Sequence, residues 1–177
     1  KNEAHTAHAY MEWASEADEV HISDTGSTDG TQDILRKLGA NVHEIVVDPW
    51  RFDEAKNKAL ANVPEDADIC ICLNMDETME PKGWRKKIEQ LWSENNLNMA
   101  RYQYVFNHNA DGSPSTVFWF NAIHARHDFE WKYPTHEVLS PLPGVHVVRL
   151  DSDLVCHHWR PDWKPKSNDL LLLKVAI

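Results

Sequence analysis

The sequence predicts an α/β fold: a Rossmann-type, mostly parallel sheet with helices on both faces, followed by an antiparallel, strand-rich C-terminal half. Three observations predict it. Through the first half, stretches with apolar residues three and four apart alternate with short apolar runs, the pattern of repeated β/α units. The run Ile69-Cys70-Ile71-Cys72-Leu73 is apolar on both faces, as in a central strand of a parallel sheet. Beyond residue 98 the chain changes to aromatic-rich segments joined by Ala110-Asp111-Gly112-Ser113, a hairpin turn sequence.

The elements follow in order. Residues 3–17 read as a helix with Ala7, Tyr10, Ala14 and Ala17 on one stripe. A short strand spans 19–23, and the turn from Thr25 to Gly30 opens a helix that closes at Leu38, with Gly39 as its stop. Residues 42–47 form the next strand, a loop holds Pro49 and Trp50, and 53–62 suits a helix. The apolar strand 68–73 comes next, then a helix that starts near Pro81 and runs to about 93. Strands are expected at 99–107, 115–126, 145–150 and 154–159, with a final helix over 165–177.

Length and charge narrow the function classes. A chain of 177 residues suits one domain. Its 28 Asp+Glu against 18 Lys+Arg give a net charge of -10, which would repel nucleic-acid phosphates. A hydrophobic fraction of 42% with 8 Trp supports a packed core and excludes disorder. No apolar run approaches the ~20 residues that cross a bilayer. The odd trio Cys70, Cys72 and Cys156 lacks a disulfide or zinc spacing and reads as buried thiols. With no signal-peptide pattern at Lys1-Asn2-Glu3, a cytoplasmic location is expected.

Ligands of open α/β sheets bind beyond the carboxyl ends of the strands. Asp24 closes one predicted strand, and Asp76-Glu77 follows another. Like charges 4 Å apart repel by ~4 kcal/mol at an effective dielectric of 20, so converging carboxylates need a proton, a donor or a cation. A Mg²⁺-type ion that takes one or two carboxylates and carries phosphate oxygens fits. Structural alternatives stand beside this reading. Asp24 could equally shape an Asx turn, Asp29 suits the first helical turn, and Asp76-Glu77 could simply lead toward Pro81.

The segments Lys1-Asn2-Glu3, Ser23-Asp24-Thr25-Gly26-Ser27-Thr28-Asp29-Gly30-Thr31, Lys56-Asn57 and Leu73-Asn74-Met75-Asp76-Glu77 together resemble family 2 glycosyltransferases of the GT-A fold, in order and spacing, from Lys1 to about Trp92. The resemblance implies a GT-A-like domain over 1–177, with a nucleotide-sugar half at 1–97 and an acceptor-side half at 98–164. It implies a metal-dependent, inverting transfer of a sugar from a nucleotide-diphospho-sugar, UDP-linked, to a hydroxyl acceptor. Asn2, Glu3, Asp24, Gly26, Lys56, Asn57 and Asn74 then stand at donor-binding positions. Asp76 matches the last aspartate of the family's Asp-x-Asp motif, a ligand for Mn²⁺ or Mg²⁺, while Asn74 replaces the first aspartate. The family's first strand would precede Lys1, so a piece truncated at both ends is expected.

Tyr133-Pro134-Thr135-His136-Glu137-Val138-Leu139 resembles the family's His-Glu segment, which makes Glu137 the expected base for the acceptor hydroxyl. His136 either orients it or sits partly buried. Cys156-His157-His158-Trp159 is similar to the late histidine segment near the metal. Neighbours on a strand face opposite ways, so one of His157 and His158 is the expected ligand. The remaining features have plainer readings. His5 with His8, and His124 with His127, lack a third zinc ligand and read as exposed. Lys82, Arg85, Lys86 and Lys87 read as a solvated face. Among Trp119, Phe120, Trp131 and Tyr133, the last pair are the expected acceptor contacts. Two other functions stay open: a phosphohydrolase using the same carboxylates, and a non-catalytic nucleotide- or carbohydrate-binding module.

Overall fold

The structure, a computed structural model, describes residues 1–159; the helix expected at 165–177 lies outside them. Helix α1 (Ala7–Ala14) buries Ala7, Tyr10 and Ala14, three of the four residues on the predicted stripe. Strand β1 (His21–Asp24) pairs in parallel with β2 (Asn41–Glu44). Helix α2 (Thr31–Lys37) connects them and has Asp33 in its first turn and Arg36 and Lys37 in its last, which complements the helix dipole. Gly39, at φ 96°, ends it in a backbone conformation that costs other residues ~1–2 kcal/mol. Helix α3 (Phe52–Ala61) and strand β3 (Ile69–Ile71) follow.

The helix expected at Pro81 begins later, as α4 (Trp84–Asn95). The residues before it form a strand that the sequence reading missed, β4 (Glu77–Glu80). Strands β5 (Met99–His108) and β6 (Pro114–Ala125) make the expected hairpin. Two more missed strands, β7 (Phe129–Lys132) and β8 (Val138–Pro141), pair antiparallel. The segment expected at 154–159 and the last two residues of that expected at 145–150 lie in one strand, β9 (Arg149–His158), while 145–148 form no strand.

The architecture is mixed α/β, but the main sheet corrects the parallel expectation. Its order is β3-β6-β5-β9-β4, and only β5 and β9 run parallel within it. Strand β3, read as a central parallel strand, lies at the end of this order and pairs antiparallel with β6. A doubly apolar run reports cover on both faces; it carries no information on the direction of its hydrogen-bonded partner.

Two hydrophobic clusters form the core. One joins Met79, Trp84, Ile88, Tyr102, Ile123, Trp131, Leu154 and Cys156 across the main sheet. The other joins Ala7, Tyr10, Ile22 and Leu35. Trp13 packs against both, and its carbonyl accepts from Trp84 Nε1 at 3.0 Å. Leu73 and Met75, just before Asp76, pack against the second cluster, to which β1 contributes Ile22. No described helix is long and apolar enough to cross a membrane.

Candidate active site

Asp24 ends β1 and is 4% exposed. Its Oδ2 accepts from the amides of Gly26 and Ser27 and from Gln32 Nε2, and its Oδ1 accepts from the Ser27 hydroxyl. The bond from the Gly26 amide two residues on is the Asx-turn geometry, so Asp24 shapes the loop, while Oδ1 accepts a single bond. Burial alone would raise its pKa, and the bonds from Ser27, Gln32 and Gly26 outweigh that and lower it. A folded-state pKa below the usual ~3.9 contributes stability above that range, lost as pH falls through the folded value. Asp24→Asn is therefore expected to lower stability at neutral pH and to flatten its fall on acidification. Urea unfolding near pH 6 and pH 3 checks this; equal acid slopes in both proteins would refute it.

The chain start closes the same loop. Asn2, at φ 60°, accepts from the amide of Thr28 and donates its own amide to Ser27 Oγ. The buried Glu3 donates its amide to Thr31 Oγ1. Asp29 ties Ala4 to the start of α2 by accepting from the amides of Ala4 and Thr31. Gly26 takes φ 85°, and a Cβ there would lie 3.9 Å from Lys1 Nζ.

Asn57 and Lys56 sit side by side on α3 and face different tasks. Asn57 clasps β7: its Nδ2 donates to the Trp131 carbonyl and its Oδ1 accepts from the Trp131 amide, both at 2.8 Å. Asn57→Ala would strand both backbone groups at ~1–3 kcal/mol each. The expected readout is a Tm fall of ~2–4 °C per kcal/mol in a chain of this size; an unchanged melting curve would refute the clasp.

Lys56 Nζ lies 2.8 Å from Glu137 Oε1 and 4.1 Å from the Trp131 ring centroid. Burial opposes the ammonium charge, but Cys72, Glu137 and Glu77 outweigh it and raise the lysine pKa. The loop that delivers Glu137 turns through two residues of left-handed backbone, Tyr133 at φ 78° and His136 at φ 53°. Such geometry costs non-glycine residues ~1–2 kcal/mol each, and the Phe52 amide bonded to the Pro134 carbonyl anchors the loop. His136 is exposed, which corrects the partly buried alternative. Trp131 is 2% exposed and lies beneath Lys56, so it is no acceptor platform; Tyr133 is 60% exposed.

Asp76 is 9% exposed and its Oδ2 lies 3.6 Å from His158 Nε2. The Asp76 carboxylate beside the ring favours its charged form and raises the His158 pKa. His157 points the other way, with Nδ1 2.9 Å from His108 Nε2 and Nε2 3.7 Å from Glu80. Only His158 of the two therefore faces Asp76. Asn74 turns to Glu77, donating from its amide and from Nδ2 at 2.7 and 2.8 Å. The Tyr104 hydroxyl donates to Glu77 Oε1 at 2.6 Å, so Glu77 is a buried hub for three donors. Tyr104 escaped the sequence reading, although its alternation with Tyr102 along β5 marks an inward face.

Other predicted features resolve simply. His124, expected at the surface, is fully buried, and burial lowers its pKa. Cys70, Cys72 and Cys156 are free thiols, and burial raises Cys70 to about 11. Lys82 and Arg85 pair with Glu12 and Asp18. Among the described residues, no group of three or more His, Cys, Asp or Glu is placed to hold a metal by itself. Asp76 and His158 supply two donors, which fits an ion that completes its shell with water and phosphate oxygens.

Comparison with known proteins identifies the family. Over 121 residues the chain is 30% identical to the O-antigen chain rhamnosyltransferase WbaN of Salmonella anatum, covering 67% of this chain and 35% of that protein. The chain thus spans about a third of the relative's length. The sequence profile described as Glycosyl transferase family 2 matches residues 4–148. That match takes in the Asp24 loop, Lys56, Asp76 and Glu137, and the chain belongs to glycosyl transferase family 2.

Proposed function

We propose that this chain is the catalytic domain of a metal-dependent, inverting glycosyltransferase that moves a sugar from a UDP-linked donor to a hydroxyl acceptor. One observation carries the reading: Glu137 and Asp76 belong to one connected set of contacts. Glu137 pairs with Lys56, Lys56 lies 5.8 Å from the Phe120 ring, Phe120 packs 5.5 Å from Tyr104, and Tyr104 stacks at 6.3 Å on His158, the partner of Asp76.

The roles follow from this layout. Lys56 fixes Glu137 through Oε1, and Oε2 makes no hydrogen bond among the described residues. That oxygen takes the acceptor proton as the hydroxyl attacks the anomeric carbon from the side opposite the leaving diphosphate, which gives inversion. Asp76 and His158 would hold Mn²⁺ or Mg²⁺, which when bound neutralises charge on the departing diphosphate. The Asp24 loop, braced by Asn2 and Thr28, forms the wall on the nucleoside side. Lys56 adds the cationic charge that an anionic donor needs beside three carboxylates.

Calorimetry with UDP-sugars, with and without Mn²⁺, tests donor binding, and NMR of the product anomer tests stereochemistry. Metal-dependent binding and an inverted product are expected. Hydrolysis of an aryl phosphate with no sugar transfer would overturn the reading.

A further inference from the structure

Tyr104 and Glu77 carry none of the roles assigned so far, yet both are buried beside Asp76 and His158. Tyr104 is 8% exposed and Glu77 5%. A carboxylate held that far from water needs hydrogen-bond donors around it. Glu77 Oε2 accepts from the Asn74 amide at 2.7 Å, and Oε1 accepts from Asn74 Nδ2 at 2.8 Å and from the Tyr104 hydroxyl at 2.6 Å. The Glu77 amide returns a bond to the Asn74 carbonyl at 3.1 Å, which closes the turn 74–77 on itself. Asp76 sits inside that turn, and its carbonyl accepts from the Trp159 amide at 2.7 Å.

The same tyrosine reaches the histidine. Glu77 stands opposite His158 in the β4–β9 ladder. The His158 ring lies nearly parallel to the Tyr104 ring, at 6.3 Å and 19°, and to the Phe106 ring, at 5.5 Å and 23°. His158 Nδ1 donates to the Phe106 carbonyl at 3.3 Å, which leaves Nε2 on the side of Asp76. Histidines that hold a metal usually give their second ring nitrogen to such an acceptor, and the groups that orient them tune the affinity. Tyr104 thus serves both members of the pair. Its ring packs against His158, and its hydroxyl, through Glu77, ties down the turn that presents Asp76. Asn74 belongs to the same lock, because its Nδ2 is spent on Glu77. An aspartate in its place would have no hydrogen to donate and would set one carboxylate against another.

We infer that Tyr104 and Glu77 are positioning residues that hold Asp76 and His158 at a fixed separation, and that Asn74 serves Glu77 and not the ion. The inference rests on the metal-dependent reading, and its test separates the two. Mg²⁺ demands near-octahedral geometry, whereas Ca²⁺ accepts larger and irregular shells, so a rigid donor pair favours Mg²⁺ and a loosened one gives up that preference. Calorimetry of UDP binding to the 177-residue chain, at rising Mg²⁺ and separately at rising Ca²⁺, measures this, and melting curves follow the fold.

Tyr104→Phe keeps the ring and loses the hydroxyl. It is expected to raise the Mg²⁺ needed for half-maximal UDP binding about tenfold, with a smaller change for Ca²⁺. Glu77→Gln, which keeps one acceptor oxygen, carries the same expectation and replaces Tyr104→Phe if that variant does not fold. Tyr102→Phe is the control: its hydroxyl is buried with no hydrogen-bond partner among the described residues, and its loss should change neither ion's effect. Asn74→Asp should weaken the Mg²⁺ response. A wild-type chain with no metal-dependent UDP binding removes the metal reading and the inference with it. Wild-type binding that Tyr104→Phe leaves unchanged, an equal loss for Mg²⁺ and Ca²⁺, or Mg²⁺ binding as tight or tighter in Asn74→Asp overturns the inference alone.

Discussion

Glu137→Gln is expected to lower kcat for sugar transfer by about 10²–10⁴-fold, the usual contribution of a positioned general base. Donor KM should change little, because the amide occupies the same volume and the nucleotide-side residues are untouched. The substitution also removes the charge that pairs with Lys56, while Oε1 remains as an acceptor and the ammonium keeps its contact with the Trp131 ring. A melting measurement separates the two effects: loss of rate in a chain that still folds and binds UDP identifies the base. Transfer at the wild-type rate would remove Glu137 from the chemistry and leave its ion pair as a purely structural tie between α3 and the loop before β8.

Much of the frame was legible in the sequence, and the residues show why. Ala7, Tyr10 and Ala14 declare α1 because helical periodicity and burial coincide there. Gly39 declares the end of α2 because its backbone conformation excludes most other residues. The turn at residues 110–113 declares a hairpin because its turn chemistry is local. Partner choice was not legible. Ile69–Ile71 looks the same whether its neighbour is parallel or antiparallel, and the neighbour, β6, lies some fifty residues later. The short strands β4, β7 and β8 have four residues each, too few for alternation to stand above chance.

The site divides the same way. Asp24, Asp76, Lys56 and Glu137 stand out as candidates because motif spacing is a property of the sequence. What each side chain touches was not. The sequence could not say that Asn57 would spend both ends of its amide on Trp131, that Asn74 would turn to Glu77, or that His158 and not His157 would face Asp76. The last of these depends on the register of β9 against β4, which sets Glu77 opposite His158 and Thr78 opposite His157. A one-residue slip there would exchange the two histidines between faces.

Asp76→Ala is expected to abolish metal-dependent donor binding and to cut kcat/KM by about 10³-fold, since metal stabilisation of a leaving diphosphate contributes several kcal/mol and each ~1.4 kcal/mol is tenfold. The pairing predicts a difference in kind between neighbouring variants. His158→Ala removes one donor and should weaken Mn²⁺ dependence, whereas His157→Ala, on the opposite face beside Glu80 and His108, should leave it intact. Mn²⁺ titration of UDP affinity in the three variants decides the matter. Equal losses for His157→Ala and His158→Ala would mean that the histidines act through β9 as a whole. The Asp76–His158 contact would then be packing, and the diphosphate would need its countercharge from Lys56 alone.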